Sequence, residues 1–226
     1  MSRPNHPEID SAYQFKEDWR CYANTPGHAL QLTQGPYKGR LFIPANHSEG
    51  PPKAQARDYF AHGFYSDDHG QTWAITPSVP YPGSNESTAA ELAKGGILMN
   101  IRNQSGDSKN RILAISNSAG AQWDTIYTEP QLPDPVCQGS MLHYTTPKGQ
   151  RVLLFSNLNH ASQRENLTLH ISYDDGKTWP VHQVICPGSA ASSDLVIQQN
   201  HQIGILYEKD NYTKIVYERG EMSDER

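Results

Sequence analysis

Cysteine is scarce and poorly placed for chemistry. Cys21, Cys137 and Cys186 are the whole complement. An odd number at wide spacing, without a CxxC pair, argues against a disulfide framework or a structural zinc site. The 10 histidines contain neither an HxxxH nor an HExxH arrangement, so no metal is expected. Basic charge is also short. With 19 Lys and Arg against 24 Asp and Glu, the net charge is −5 and no basic stripe appears, which argues against a nucleic-acid partner. No apolar run reaches the roughly 18 residues that a membrane span needs. Residues 1–15, MSRPNHPEIDSAYQF, lack the apolar heart of a signal peptide. The chain as given is therefore expected in the cytoplasm, and secreted only if a signal lies upstream of residue 1. Long amphipathic helices are missing too, and the one helix-like stretch is the short Ser87–Lys94.

What is abundant is punctuation. The 226 residues include 17 Gly and 16 Pro, while hydrophobic residues make up 36% and charged ones 19%. A chain of this length can bury about 70% of its unfolded surface, so a real core is available, and the balance fits short strands joined by many turns. Strand-like runs fall at Arg40–Ile43, Tyr59–Tyr65, Gly96–Ile101, Arg111–Ile115, Arg151–Phe155, Leu167–Ile171, Leu195–Gln198, Ile203–Tyr207 and Lys214–Tyr217. Five Asn-x-Ser/Thr sequons, at Asn46, Asn85, Asn103, Asn166 and Asn211, are read as chance in an Asn- and Ser-rich chain.

Tryptophan organises the rest. Three of the four tryptophans close similar octets: Ser66-Asp67-Asp68-His69-Gly70-Gln71-Thr72-Trp73, the decayed Ser116-Asn117-Ser118-Ala119-Gly120-Ala121-Gln122-Trp123, and Ser172-Tyr173-Asp174-Asp175-Gly176-Lys177-Thr178-Trp179. The starts are 50 and 56 residues apart, a period of propeller blades. An Asp at the third position can accept backbone N–H groups across a loop, and a Gly at the fifth supplies a left-handed conformation. Asp68 and Asp174 or Asp175 are thus read as turn residues, with no catalytic task. The expected fold is all-β, built of repeated sheets.

The octets resemble the Asp-box, S-x-D-x-G-x-x-W, of sialidases and related propellers. The segments between them narrow the resemblance. Pro26-Gly27-His28-Ala29-Leu30-Gln31-Leu32, followed by Gly39-Arg40-Leu41-Phe42-Ile43-Pro44, is similar to the PGHGIQL…GRLxIP run of exo-α-sialidases. Asn85-Glu86-Ser87, with Glu91-Leu92 and Leu98-Met99-Asn100-Ile101-Arg102-Asn103, resembles the stretch bearing the family's catalytic glutamate and second arginine. Phe155-Ser156-Asn157 and Arg164-Glu165-Asn166-Leu167-Thr168-Leu169 resemble the stretch bearing its third arginine, and Ile203–Glu208 its late GLLYE strand. The resemblance implies a sialidase-type β-propeller, with about four blades of a six-bladed pattern present in one domain over 1–226. Within that domain, 1–17 is expected to be an ill-defined segment and 218–226 a flexible tail.

It also implies chemistry. A sialic acid carries a carboxylate at its anomeric carbon, and arginine forks bind carboxylates in two-pronged fashion. By resemblance Arg102 and Arg164 take that role, and Glu86 is the base that would deprotonate a tyrosine nucleophile, since sialidases depart from the two-carboxylate scheme of other glycosidases. Glu91 fits the family's second, non-catalytic glutamate. No cofactor or metal is implied, and the partners would be glycans ending in sialic acid.

Two departures bear on activity. Where the family has its nucleophilic tyrosine, this chain reads Pro187-Gly188-Ser189-Ala190-Ala191-Ser192-Ser193-Asp194-Leu195, with Ser192 at the tyrosine position and Ala191 the other alignment. The family's opening F-R-I-P strand with its first arginine, and the acid/base aspartate after it, are not found. Impaired turnover is therefore expected, with a non-catalytic sialoglycan-binding propeller as the alternative. An incomplete ring would leave open strand edges that favour self-association.

Overall fold

The octet that repeats in the sequence is a repeated turn in the molecule. A computed structural model describes residues 19–220 and places each octet between the third and fourth strands of an antiparallel sheet. The first sheet contains β1 (Trp19–Asn24), β3 (Leu41–Glu49), β4 (Tyr59–Ser66) and β5 (Ala74–Ile75) in that order, with β2 (Leu30–Gln31) beside β3. The second runs β6 (Ser84–Glu91), β7 (Ile97–Asn103), β8 (Asn110–Ser116) and β9 (Thr125–Pro133). The third begins with β10 (Ser140–Thr145), β11 (Arg151–Leu158) and β12 (Glu165–Ser172). Strand β13 (Val181–Ile197) is shared: its first part pairs with β12, and from Ala190 onward it pairs with β14 (Ile203–Lys209), followed by β15 (Lys214–Gly220). Three blades and part of a fourth are thus present among the described residues, as the sequence implied. Strand β15 continues to Gly220, into the expected tail; residues 221–226 and the expected N-terminal segment lie outside the described residues.

Each turn is closed by its own side chains. In the first octet Ser66 Oγ donates to Asp68 (2.8 Å) and accepts from the Gly70 N–H (2.8 Å), while Asp68 accepts the Thr72 N–H and hydroxyl (2.8 and 2.6 Å). The third octet repeats this with Ser172, Asp174, Gly176 and Thr178. The decayed copy survives because the Ser118 hydroxyl replaces the carboxylate, accepting the Gln122 N–H at 3.0 Å, while Asp124 takes the Asn117 N–H at 2.7 Å. Left-handed backbone occupies the fifth position, at Gly70 (φ 86°) and Gly176 (φ 83°), and also the fourth, at His69 (φ 59°) and Asp175 (φ 60°). Two successive positive φ values twist the turn in the sense that antiparallel strands require.

The turns also join blades. A Cβ on Gly176 would come within 2.6 Å of Leu98 in the second blade, and one on Gly120 within 2.8 Å of Phe42 in the first. Trp123 Nε1–H donates to the Pro77 carbonyl (2.8 Å), and the Trp179 N–H donates to Gln131 (3.0 Å). Each of these two octets therefore seats on the preceding blade. The second blade is covered on both sides: Met99 and Ile101 pack with Phe42 and Ala61, while Leu98 and Leu113 pack with Leu153, Phe155 and Trp179. A third cluster, with Leu167, Leu169, Leu195, Ile205 and Tyr207, joins the third blade to the fourth.

The helix-like reading of Ser87–Lys94 is corrected: Ser84–Glu91 is the strand β6. Its Ala and Ser content reflects crowding rather than helix propensity. Thr88 Oγ1 accepts the Met141 N–H of β10 at 3.0 Å, so the first strands of neighbouring blades nearly touch, and only small side chains fit between them. Tertiary packing overrides propensity here.

Candidate active site

The two rims of the blades are chemically different. The octets occupy the rim where β8 and β12 end. Glu86, Arg102 and Arg164 lie at the opposite rim, where β6 begins, β7 ends and β12 begins. Glu86 falls in the register break between Ser84 and Ser87, and Arg164 precedes another break between Glu165 and Leu167. Such bulges re-aim side chains out of the pleat.

Glu86 accepts a hydrogen bond from Arg102 Nη1 at 2.5 Å, with side chains 25% and 17% exposed. Arg102 Nε is buried and has no hydrogen-bond partner among the described residues, so the guanidinium has donor capacity left. Arg164 donates from Nη1 to the Tyr212 hydroxyl (2.7 Å) and from Nη2 to the Val136 carbonyl (2.8 Å). Burial works against its charge, but Cys137, the Tyr212 hydroxyl and Glu86 outweigh burial and hold the guanidinium above its ordinary pKa. Glu86 therefore feels both arginines, and the three residues share one electrostatic environment.

Beneath them is a support that sequence reading missed. Arg111 is fully buried and donates to Asn100 Oδ1 (2.7 Å), the Cys137 carbonyl (2.7 Å) and Asp134 (3.1 Å). Asp134 accepts the Asn103 N–H (2.8 Å) and the Cys137 N–H (3.0 Å). One buried ion pair thus fixes the residue after Arg102 and shapes the loop whose Val136, at φ 60°, turns its carbonyl to Arg164. The available signal was Pro133-Asp134-Pro135, an acidic residue held between two stiff neighbours.

The Ser189–Asp194 segment divides between two hollows. Arg164 shares one, of about 340 Å³, with Ser189, Ala190, Ala191, Asn211 and Tyr212. Ser192 lines the other, of about 230 Å³, with Pro26, Gly27, Asp194, Leu206 and Glu208. The structure thus brings Glu86 and Arg102 together and Arg164 near them, while Ser192 stands in the neighbouring hollow and Ala191 faces that of Arg164. The Ser192 N–H donates to Glu208 at 3.0 Å. His28, from the Pro-Gly-His run, bonds Asp194 through Nδ1 at 2.9 Å, and Ser140 donates to the same carboxylate oxygen at 2.7 Å. This contact ties the first blade to the strand that opens the fourth. Asp194 raises the pKa of His28 against the opposing effect of burial.

Glu91 is at the other end of β6, accepting the backbone N–H groups of Thr33 (2.9 Å) and Gln34 (3.0 Å). It clamps the loop at Thr33 and Gln34. Among the described residues no group of three or more His, Cys, Asp or Glu side chains could hold a metal ion. No helix among them is long and apolar enough to cross a membrane.

Comparison with known proteins agrees with this architecture. The BNR repeat-like domain family matches residues 5–218. A sialidase of Micromonospora viridifaciens is 35% identical over 209 residues, covering 90% of this chain and 31% of the relative. Sialidase-2 of Cricetulus griseus is 29% identical over 219 residues, covering 89% and 56%. Among solved structures, the Hadza microbial sialidase Hz136 superposes with a TM-score of 0.80 at 23% identity, over 95% of this chain and 40% of that one. The intramolecular trans-sialidase from Ruminococcus gnavus does so with a TM-score of 0.76 at 22% identity, over 90% and 45%. The chain thus spans from about a third to just over half the length of these relatives. With the octets, the blades and these relatives in agreement, the chain belongs to the sialidase family with BNR repeats.

Proposed function

We propose that the chain is a sialidase-like glycoside hydrolase domain that takes terminal α-linked sialic acids of glycoconjugates, with impaired turnover. The observation that carries this reading is Glu86 held against Arg102 at 2.5 Å on the rim that also bears Arg164. Arg102 and Arg164 supply fixed positive charge and forked donors for the substrate carboxylate. Glu86, the carboxylate bonded to Arg102, is the group able to accept a proton beside the anomeric carbon. Turnover is impaired because Ala191 and Ser192 present no phenol: a serine oxygen is shorter by a whole ring. A water in the vacated space could attack directly. Its oxygen would bond to the anomeric carbon and its proton pass to Glu86, while the bond from that carbon to the aglycone oxygen breaks on the opposite face, with inversion, the oxygen keeping the electron pair and taking a proton from solvent.

Release of a fluorogenic aryl alcohol from its α-sialoside tests the reading, with Glu86→Gln measured beside the unaltered chain. Slow release lost in the variant, with the β-anomer as first product, supports hydrolysis. Sialoside binding without release, lost in Arg102→Ala and Arg164→Ala, supports a non-catalytic sialoglycan-binding propeller, which the alanine-lined hollow beside Arg164 favours. Neither binding nor release would sink both readings.

A further inference from the structure

Tyr212 lies at the tip of the β14–β15 hairpin, just after the Ile203–Glu208 run. Its backbone is unusual: Asp210, Asn211 and Tyr212 have φ values of 52°, 53° and 66°. Three successive left-handed residues, one of them a bulky aromatic, are costly and persist only where their surroundings hold them. Here Ser189 does so. Its carbonyl accepts the Asp210 N–H (3.1 Å), its hydroxyl accepts the Asn211 N–H (3.1 Å), and that hydroxyl donates to Asn211 Oδ1 (3.0 Å). Thr213 Oγ1–H donates to the Asp210 carbonyl at 2.7 Å, which closes the turn.

The outcome is a tyrosine 56% exposed whose hydroxyl is nevertheless fixed, accepting from Arg164 Nη1 at 2.7 Å. A phenol has one proton to donate besides the lone pairs it offers. With a lone pair engaged by the guanidinium, the O–H is polarised and its proton is uncommitted, since no acceptor for it stands among the described residues. Tyr212 and Arg164 line the same hollow of about 340 Å³. We propose that Tyr212 is a substrate-binding residue that donates its O–H to the carboxylate of the sialoside, beside the Arg164 guanidinium. It thereby supplies a further carboxylate donor beside Arg164. This inference rests on the sialoside reading above.

The test is the dissociation constant of a sialic acid α-methyl glycoside, and of its carboxylate methyl ester, for the full chain and for Tyr212→Phe, Arg164→Ala and Arg102→Ala. Thermal unfolding of each variant confirms that it folds. Tyr212→Phe keeps the ring and removes only the hydroxyl. The expected result is about five- to tenfold weaker binding of the acid, the loss of one charge-assisted hydrogen bond, with the weaker binding of the ester unchanged. Equal binding of the acid by Tyr212→Phe, with loss in both arginine variants, overturns the role of Tyr212 and leaves the sialoside reading standing. Tighter binding by Tyr212→Phe also overturns it, showing the hydroxyl to be a plug on Arg164. No binding by the unaltered chain removes the underlying reading, and the proposal with it.

Discussion

A guanidinium with no solvent around it must find every partner in the protein. Arg111 does, and its pairing with Asp134 is fully buried on both sides. Removing one member of such a pair leaves the other charged and desolvated, at a cost of about 3 to 5 kcal/mol. Asp134→Asn is expected to lower the unfolding free energy by that amount, read as a lower urea midpoint, and to weaken sialoside binding, because Asn103 and the Val136 loop lose their anchor together. An unchanged midpoint would mean that the pair does not organise the site. Buried histidines set a second residue-scale effect. His170 Nε2–H donates to Asn157 Oδ1 (2.8 Å), so its Nδ1 accepts from His182 Nδ1–H (2.7 Å); His47 and His62 face each other likewise at 2.9 Å. Burial first, and then the neighbouring imidazole, push the pKa of His62 and of His170 down to about 3. Unfolded, each ring protonates near 6.5, so between about 6.5 and 3 the unfolded chain holds the extra proton and stability falls as pH falls. The slope is up to about 1.4 kcal/mol per pH unit for each ring. Urea midpoints at pH 7 and pH 5 should therefore differ, and His62→Gln with His170→Gln should flatten the difference.

At the scale of elements, the first and third octets are alike in hydrogen bonding but not in setting. Trp179 is fully buried between blades, whereas Trp73 is only half-buried and packs on its own Gly70. Losing the carboxylate of Asp174 frees a turn that seats a core tryptophan; losing that of Asp68 frees one at the side of the molecule. Asp174→Ala is expected to cost about 2 kcal/mol and Asp68→Ala clearly less, measured by thermal unfolding. Equal losses would show that the turn acts only locally. These octets were legible because their chemistry is local, complete within eight residues. β7 was legible because a strand covered on both faces reads as an apolar run. β6 was not, since its small residues answer to β10 and not to their own neighbours. The same distinction divides the site. Glu86, Arg102 and Arg164 were singled out through motif resemblance, while Asp134 and Tyr212 make their contacts with partners 23 and 48 residues away. No window along the chain displays those pairings.

At the scale of the molecule, burial is uneven around the ring. The second and third blades are covered on both sides, but the fourth turns one face outward. Register places Leu206 opposite Asp194 and Tyr217, with Val196 and Ile215 two residues along their strands on that side. All four apolar side chains are at least 47% exposed, Ile215 reaching 68%. The opposite face, with Leu195, Ile205 and Tyr207, is core. Exposed apolar surface beside β15, whose outer edge pairs with no other strand among the described residues, favours association. The chain is therefore expected to sediment with a concentration-dependent mass, and Leu206→Lys with Ile215→Lys to shift it toward the monomer without lowering the unfolding midpoint, since neither side chain belongs to the core. A monomer at every concentration would show that this face needs no cover. A mass that persists in the double variant would place the contact on another part of the surface. Because Leu206 and Ser192 line one hollow, association through this face would also alter access to the Ser192 segment. Sialoside binding measured across the same concentration range would then change in step with the mass.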